Sequence, residues 1–195
     1  MKILALNGSP REKGNTQVLL EAINRGVVAA GGEMEIIRLS DLDIAPCIAC
    51  GGCNKEGKCL VRDDMTIVYD KIEESRRIIL GSPIYFYGIS AQAKACVDRA
   101  QALWSLKYIL TAEKDRNRDS SYKGYFVSVA ASRGEKVFCG AELTARYFFD
   151  ALDFFYGGAF LVKGADRRGE VGGFPEELER ARECGLNIVK GNNIS

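Results

Sequence analysis

The 195-residue chain predicts an α/β fold: five parallel strands in the order 2-1-3-4-5, doubly wound, with helices on both faces. Three observations carry this. Five apolar, β-branched runs alternate strictly with amphipathic stretches, the pattern of strands joined by crossover helices. The runs are apolar throughout and do not alternate with polar residues, so both faces of the sheet are covered. The length suits one domain over residues 1–195 with a substantial core, and no internal repeat or low-complexity tract divides it.

Lys2 to Leu6 reads as the first buried strand. Thr16 to Ala30 reads as a helix, with Val18, Leu19, Ala22, Ile23 and Val27 at helical spacing, and Gly31-Gly32 stops it. Met34 to Leu39 is the second strand, followed by a cysteine-rich loop at about 46–62. Asp63-Asp64 supplies a cap and negative charge to a helix running to about Ser75. Arg77 to Pro83 is the third strand, ending in a turn, and Ser90 to Leu103 is the third helix. The charged stretch 107–123 reads as a solvated excursion, with a lid or an assembly arm as the alternative. Tyr125 to Ala130, Glu142 to Phe155, Gly158 to Lys163 and Glu176 to Lys190, the last begun after Pro175, complete the strand–helix alternation.

Composition removes several classes of function. Acids and bases are interspersed for a net charge of +1, with no basic stripe to bind nucleic acid. No apolar run is long enough to span a bilayer. The opening residues, Met1 to Ser9, run straight into a strand and turn and lack the pattern of a signal peptide. Seven cysteines fit a secreted disulfide framework poorly, so a reducing cytoplasm is expected. Cys96, Cys139 and Cys184 read as small core residues. The chain has no histidine. Ser-His-Asp triads, Cys-His pairs and His-ligated metals are therefore excluded. Hydride and electron transfer, in which a cofactor carries the reaction, remain.

In a sheet of this order the ligand sits beyond the carboxyl ends of the strands, at the reversal between strands 1 and 3. The loops after strands 1, 3 and 4 are the places to search. The first, Gly8 to Thr16, lacks G-x-G-x-x-G and the Gly-Lys-Ser/Thr ending of a P-loop. Ser9, Asn15 and Thr16 crowd a helix N-terminus, with Gly14 in the turn and Arg11 adding charge. This suits one phosphomonoester, or else an ordinary capped helix. In the second loop, Pro83, Ile84, Tyr85 and Phe86 place apolar and aromatic surface on the ligand edge, where it can cover a flat ring or merely pack the core. In the third, Ser132 and Gly134 permit close backbone approach, and Arg133 and Lys136 offer charge to ring carbonyls or a nicotinamide phosphate; a solvated turn is the alternative.

Cys47, Cys50, Cys53 and Cys59 follow C-x2-C-x2-C-x5-C. A thiolate at every third residue can wrap one side of an inorganic cluster, as in ferredoxins, although the x3-C-P ending of that pattern is absent. The alternatives are surplus thiols or a disulfide in a loop, Cys47 and Cys50 cycling as a thiol redox sensor, or a zinc-stabilised binding protein.

Gly8-Ser9-Pro10-Arg11…Gly14-Asn15-Thr16, Pro46-Cys47…Cys50…Cys53…Cys59…Asp63-Asp64-Met65, Gly81-Ser82-Pro83-Ile84-Tyr85-Phe86 and Lys94…Asp98-Arg99 together resemble the NAD(P)H-dependent FMN reductase group of flavodoxin-like proteins. The cysteine run is similar to that of the iron–sulfur flavoproteins within it. The first half of the chain carries the specific matches, and the rest follows by pattern. The resemblance implies FMN with its phosphate on Ser9 to Thr16 and its ring between Pro83–Phe86 and Ser132–Gly134. It implies a [4Fe–4S] cluster on Cys47, Cys50, Cys53 and Cys59, NAD(P)H or a protein as electron donor, and a homodimer or homotetramer. Cluster-free relatives keep some of these cysteines, so a cluster-free FMN reductase stands as the alternative.

Overall fold

The computed structural model describes residues 2–116 and 119–195; Met1 and residues 117 and 118 of the expected excursion lie outside the described residues. Five parallel strands form the sheet: β1 (Lys2–Asn7), β2 (Glu33–Arg38), β3 (Arg77–Tyr85), β5 (Lys123–Ala130) and β6 (Phe155–Lys163). The two-residue β4 (Gly88–Ile89) lies between β3 and β5 in sequence. The spatial order is β2-β1-β3-β5-β6, and β4 pairs antiparallel with the end of β3. With β4 set aside, this is the expected 2-1-3-4-5 arrangement. Asn7 pairs with Gly81 in the register of β1 and β3, so their loops leave the sheet at the same level.

The helices are α1 (Asn15–Ala29), α2 (Cys53–Glu56), α3 (Met65–Glu73), α4 (Ala91–Arg99), α5 (Gln101–Ser105), α6 (Cys139–Ala151) and α7 (Pro175–Lys190). Leu19, Ile23, Cys184 and Ile188 of α1 and α7 pack on one face of the sheet against Ile3, Ala5, Ile79 and Val127. Met65, Val68, Cys96, Phe148 and Phe149 of α3, α4 and α6 pack on the other against Leu4, Leu6, Ile78 and Phe126. Uninterrupted apolar strands have partners on both sides, as a parallel sheet requires. Among the described residues no helix is long and apolar enough to cross a membrane.

The helix expected behind the Asp63-Asp64 cap does start at Met65, with Asp64 as N-cap and Asp63 Oδ1 accepting from Met65 N (3.1 Å), and it ends at Glu73, just short of Ser75. Other boundaries differ from the periodicity. The helix expected over 90–103 is divided into α4 and α5 and then widens into a π turn at Leu106–Leu110. The helix expected to reach Phe155 ends at Ala151, because Asp153 turns left-handed (φ 63°). Phe154 is then buried in the connection and Phe155 opens β6.

The described part of the excursion is held down. Lys107 Nζ donates to the Asp150 carbonyl and forms ion pairs with Asp150 (3.1 Å) and Asp153 (3.0 Å). Arg116 Nε donates to the Lys107 carbonyl, and its guanidinium stacks 4.7 Å from the Tyr108 ring centre. Cys96 and Cys184 are buried, and burial pushes both thiols up to about 12. Cys139 corrects the expectation of a core cysteine: it is exposed. Helix α6 begins at this residue and buries Ala141, Ala145, Phe148 and Phe149, a face on which Cys139 does not lie.

Candidate functional site

Buried hydroxyls fasten the carboxyl edge of the sheet. Gly8 N donates to Gly81 O (2.8 Å), and Ser90 Oγ donates to Gly8 O (2.5 Å). Ser90 N donates to Ser82 Oγ (2.9 Å), while Ser128 Oγ donates to Ser82 O (2.7 Å). These bonds tie β1, β3, β5 and the start of α4 together. Gly8 permits that approach: a Cβ there would stand 2.6 Å from Ala93 Cβ. Asn7, also buried, accepts from Ser9 N and orients the turn that follows.

Over this edge lies a cleft of about 60 Å³ lined by Ser9, Arg11, Asn15, Thr16, Pro83, Ile84 and Tyr85, with Val129, Ala131, Ala165 and Asp166. The first and second loops meet here. The space matches a small anion more than a whole mononucleotide. Gly14, Phe86, Ser132 and Gly134 do not line it. Gly14 closes the turn from behind, where a Cβ would lie 3.0 Å from Arg11 O. Ser132 Oγ accepts from Gly134 N (3.2 Å), and a Cβ on Gly134 would come 3.4 Å from the Tyr87 hydroxyl, beside Phe86. Arg133 leans across to Gly164, where a Cβ would meet its guanidinium at 2.5 Å.

A fourth wall, the turn after β6, escapes the search of three loops. Asn15 Nδ2 donates to Ala165 O (3.3 Å) and Arg167 O (3.0 Å), and its Oδ1 accepts from Val171 N (3.1 Å). Arg11 Nη1 donates to Asp166 O (2.9 Å). Both side chains clamp this turn to the start of α1. The strand order itself is the signal that finds it, because the end of β6 lies on the same edge.

The chemistry of this cleft fits a phosphate ester. Thr16 is buried, and its Oγ1 has no hydrogen-bond partner. Gly14, the N-cap of α1, provides no side-chain cap, and the first turn holds no acid. The first N–H groups of a fifteen-residue helix, its dipole and an orphaned hydroxyl therefore converge where an anion would be bound. Beside the cleft, Phe86 and Tyr87 close the β3–β4 hairpin, both left-handed (φ 49° and 62°). Two-residue hairpins demand that conformation, and it costs non-glycine residues roughly 1–2 kcal/mol each. The result is a fully exposed Phe86 at the tip.

A second cavity, about 430 Å³, is lined by Cys47, Cys50, Cys53 and Cys59 with Asp98, Arg99, Gln101 and Ala102. All four thiols are free. Among the described residues no three acid or thiol side chains converge closely enough to hold a single metal ion. The cysteine segment is fastened at both ends by Arg99, which is almost fully buried. Arg99 Nη1 donates to Ala45 O (2.9 Å) and Asp63 Oδ2 (2.6 Å), and Nη2 donates to Val61 O (3.1 Å) and Asp63 Oδ1 (3.0 Å). Asp63 also accepts from Ala45 N and Met65 N. The Arg99 bond holds the Asp63 carboxyl below its usual range, against the opposing effect of burial. The Asp63 partner of Arg99 lies 36 residues away in sequence, beyond any helical spacing. Asp98 instead pairs with Lys94 at 2.7 Å on the helix surface.

Residues 1–154 match the NADPH-dependent FMN reductase family. An iron–sulfur flavoprotein of Methanocaldococcus jannaschii is 44% identical over 103 residues, 53% of each chain. An iron–sulfur flavoprotein of Methanosarcina thermophila is 35% identical over 103 residues, 53% of this chain and 54% of its own. The matches therefore span about half the length of these relatives. The solved NAD(P)H:quinone oxidoreductase from Methanothermobacter marburgensis superposes with a TM-score of 0.72 at 18% identity, covering 97% of both chains. That likeness establishes a shared fold.

Proposed function

The chain belongs to the NADPH-dependent FMN reductase family, and from that premise we propose that it is an FMN-dependent oxidoreductase. In this reading it takes electrons from NAD(P)H or a protein donor and relays them through a [4Fe–4S] cluster on Cys47, Cys50, Cys53 and Cys59. The observation that carries it is the orphaned Thr16 hydroxyl at the uncapped start of α1, opposite Pro83, Ile84 and Tyr85. Bound FMN supplies two-electron hydride acceptance and one-electron release.

The residues bind and orient. Ser9, Thr16 and the first N–H groups of α1 hold a phosphate bearing about two charges. Arg11 stands at the same cleft while it braces the turn after β6. Pro83, Ile84 and Tyr85 form apolar surface for a flat ring, and the hairpin tip projects beyond them with Ser132 and Gly134 alongside. Hydride transfer requires no side-chain acid or base, which suits a chain without histidine.

At the second cavity, four cysteines supply sulfur donors, while the one carboxylate on its wall, Asp98, is engaged by Lys94; an all-sulfur donor set suits an iron–sulfur cluster. A zinc ion would draw its sulfurs to about 2.3 Å from one centre. Sulfurs arranged around a wide cavity suit a core of several atoms better.

The test is anaerobic purification followed by FMN, iron and acid-labile sulfide analysis, with flavin bleaching by NADPH and NADH. The expected result is one FMN per chain with iron and sulfide, and a flavin bleached by at least one donor. A chain that leaves FMN unbound ends the oxidoreductase reading. Flavin without iron and sulfide leaves the cluster-free reductase.

A further inference from the structure

We propose that Arg99 and Ser105, on consecutive helices α4 and α5, are positioning residues that donate to the Cys59 and Cys53 sulfurs and raise the reduction potential of the cluster. The inference rests on the cluster reading above and concerns what this chain adds to four thiolates.

Ser105 is completely buried, the last residue of α5 before the backbone widens into the π turn. Its Oγ lies 3.6 Å from Cys53 Sγ and 2.9 Å from Asn54 Oδ1. A hydroxyl has one proton and two lone pairs. Once Cys53 is a thiolate, a charge-assisted O–H···S bond competes well against a neutral amide oxygen. The Asn54 amide can then turn its NH2 toward a hydroxyl lone pair.

Arg99 presents a different signature. A guanidinium carries five N–H groups. Its Nη1 and Nη2 are engaged by Asp63, Ala45 and Val61. Nε is buried with no partner, in a side chain that lines the cysteine cavity. Cys59 lines the same cavity as Arg99, and the two side chains interact electrostatically. An orphaned donor on the wall of a thiol-lined cavity points to an acceptor in that cavity. Asp63 offsets much of the Arg99 charge, so donation to sulfur is the principal effect remaining.

One-electron reduction adds one negative charge to a cluster. Hydrogen bonds to the ligand sulfurs stabilise that charge and set the potential. With both donors present, the reduced form is favoured and the cluster accepts an electron more readily.

The test uses the full chain with FMN bound, reconstituted anaerobically with iron and sulfide. Ser105→Ala, Ser105→Thr and Arg99→Lys are compared with wild type. Iron and sulfide are counted first, and the cluster is then titrated with dithionite under spectroelectrochemical control. Ser105→Ala is expected to keep its iron and sulfide and to shift the one-electron equilibrium about tenfold toward the oxidised form, about 59 mV lower. Ser105→Thr, which retains the hydroxyl, restores the wild-type value. Arg99→Lys keeps the charge but loses Nε and the fork, and its loaded fraction is expected to shift in the same direction. If that variant does not fold, the serine pair still decides the Cys53 half, and Arg99→Gln combined with Asp63→Asn, which removes both charges of the pair together, decides the other by the same titration; an unmoved midpoint in a fully loaded Arg99 variant overturns the Arg99 role. An unmoved midpoint in fully loaded Ser105→Ala overturns the tuning role and leaves the cluster intact. Wild type that takes up no iron or sulfide overturns the cluster reading itself, and that result is reached before any potential is measured.

Discussion

Thr16 shows how a single residue separates fold from function. A buried donor without an acceptor costs about 1–3 kcal/mol, and the Thr16 hydroxyl is in that position beside the cleft. Thr16→Val is therefore expected to leave the flavin-free chain as stable as wild type or slightly more so. FMN affinity is expected to fall roughly tenfold or more, since a bond to a charged phosphate is worth about 1.5–3 kcal/mol. Quenching of FMN fluorescence gives the affinity, and melting of the flavin-free chain gives the stability. A lower melting temperature with unchanged affinity would show that the hydroxyl serves the fold. Short-range signals in this loop were legible: the small polar residues Ser9, Asn15 and Thr16 do gather at the start of α1. The use of Asn15 was not, because its partners Ala165, Arg167 and Val171 lie 150 or more residues away, where no spacing rule reaches.

Among the elements, the cysteine segment depends on a guanidinium supplied by α4. Removing one partner of a buried pair leaves the other charge uncompensated, so Asp63→Asn is expected to cost about 3 kcal/mol at neutral pH. The sign of its pH dependence follows from the depressed Asp63 pKa. The unfolded carboxyl titrates near its ordinary value of about 3.9. The pair's contribution is therefore complete above that range and is lost as pH falls through the lower folded value. Urea midpoints between pH 6 and pH 3 should decline more steeply for wild type than for Asp63→Asn; parallel curves would mean that Asp63 does not govern acid sensitivity. A second element contact is steric. A Cβ on Gly26 of α1 would stand 1.9 Å from Arg182 O, and one on Gly185 of α7 would stand 2.1 Å from Ile23 O. Either residue changed to alanine forces the helices apart, for a loss of about 1–3 kcal/mol readable as a lowered melting temperature. Strands and long helices were legible because their apolar periods are strong. The Asp63-Asp64 cap was legible as well, whereas the end of α6 shifted where the backbone turned left-handed, as at Asp153. The β4 hairpin was hidden because Phe86-Tyr87 is not the Asn-Gly type of turn that announces one.

Across the whole molecule, one face exposes several large apolar side chains. Trp104, Leu106 and Tyr108 follow one another along α5 and the π turn, and Leu143 and Tyr147 face outward from α6. A groove of about 690 Å³ runs between the two helices and shares Asp98 and Gln101 with the cysteine cavity. Periodicity in the sequence identifies the helices but not which apolar positions the fold leaves uncovered, since that depends on how the pinned 107–116 segment lies against α6. Contiguous patches of this kind mark association. The family resemblance implies a second copy of the chain, and this face, next to the cavity lined by the four thiols, is where that expectation can be tested. Wild type is then expected to elute with at least twice the 21.4 kDa chain mass in light-scattering chromatography. Leu143→Glu with Tyr147→Glu places two like charges in a self-complementary contact and is expected to yield the single-chain mass. Neither residue lines the cleft beside Thr16, so FMN affinity provides the control that the variant is folded. Wild type running at the single-chain mass would exclude a second copy as the occupant, and an unchanged oligomer in the double variant would place the contact on another face.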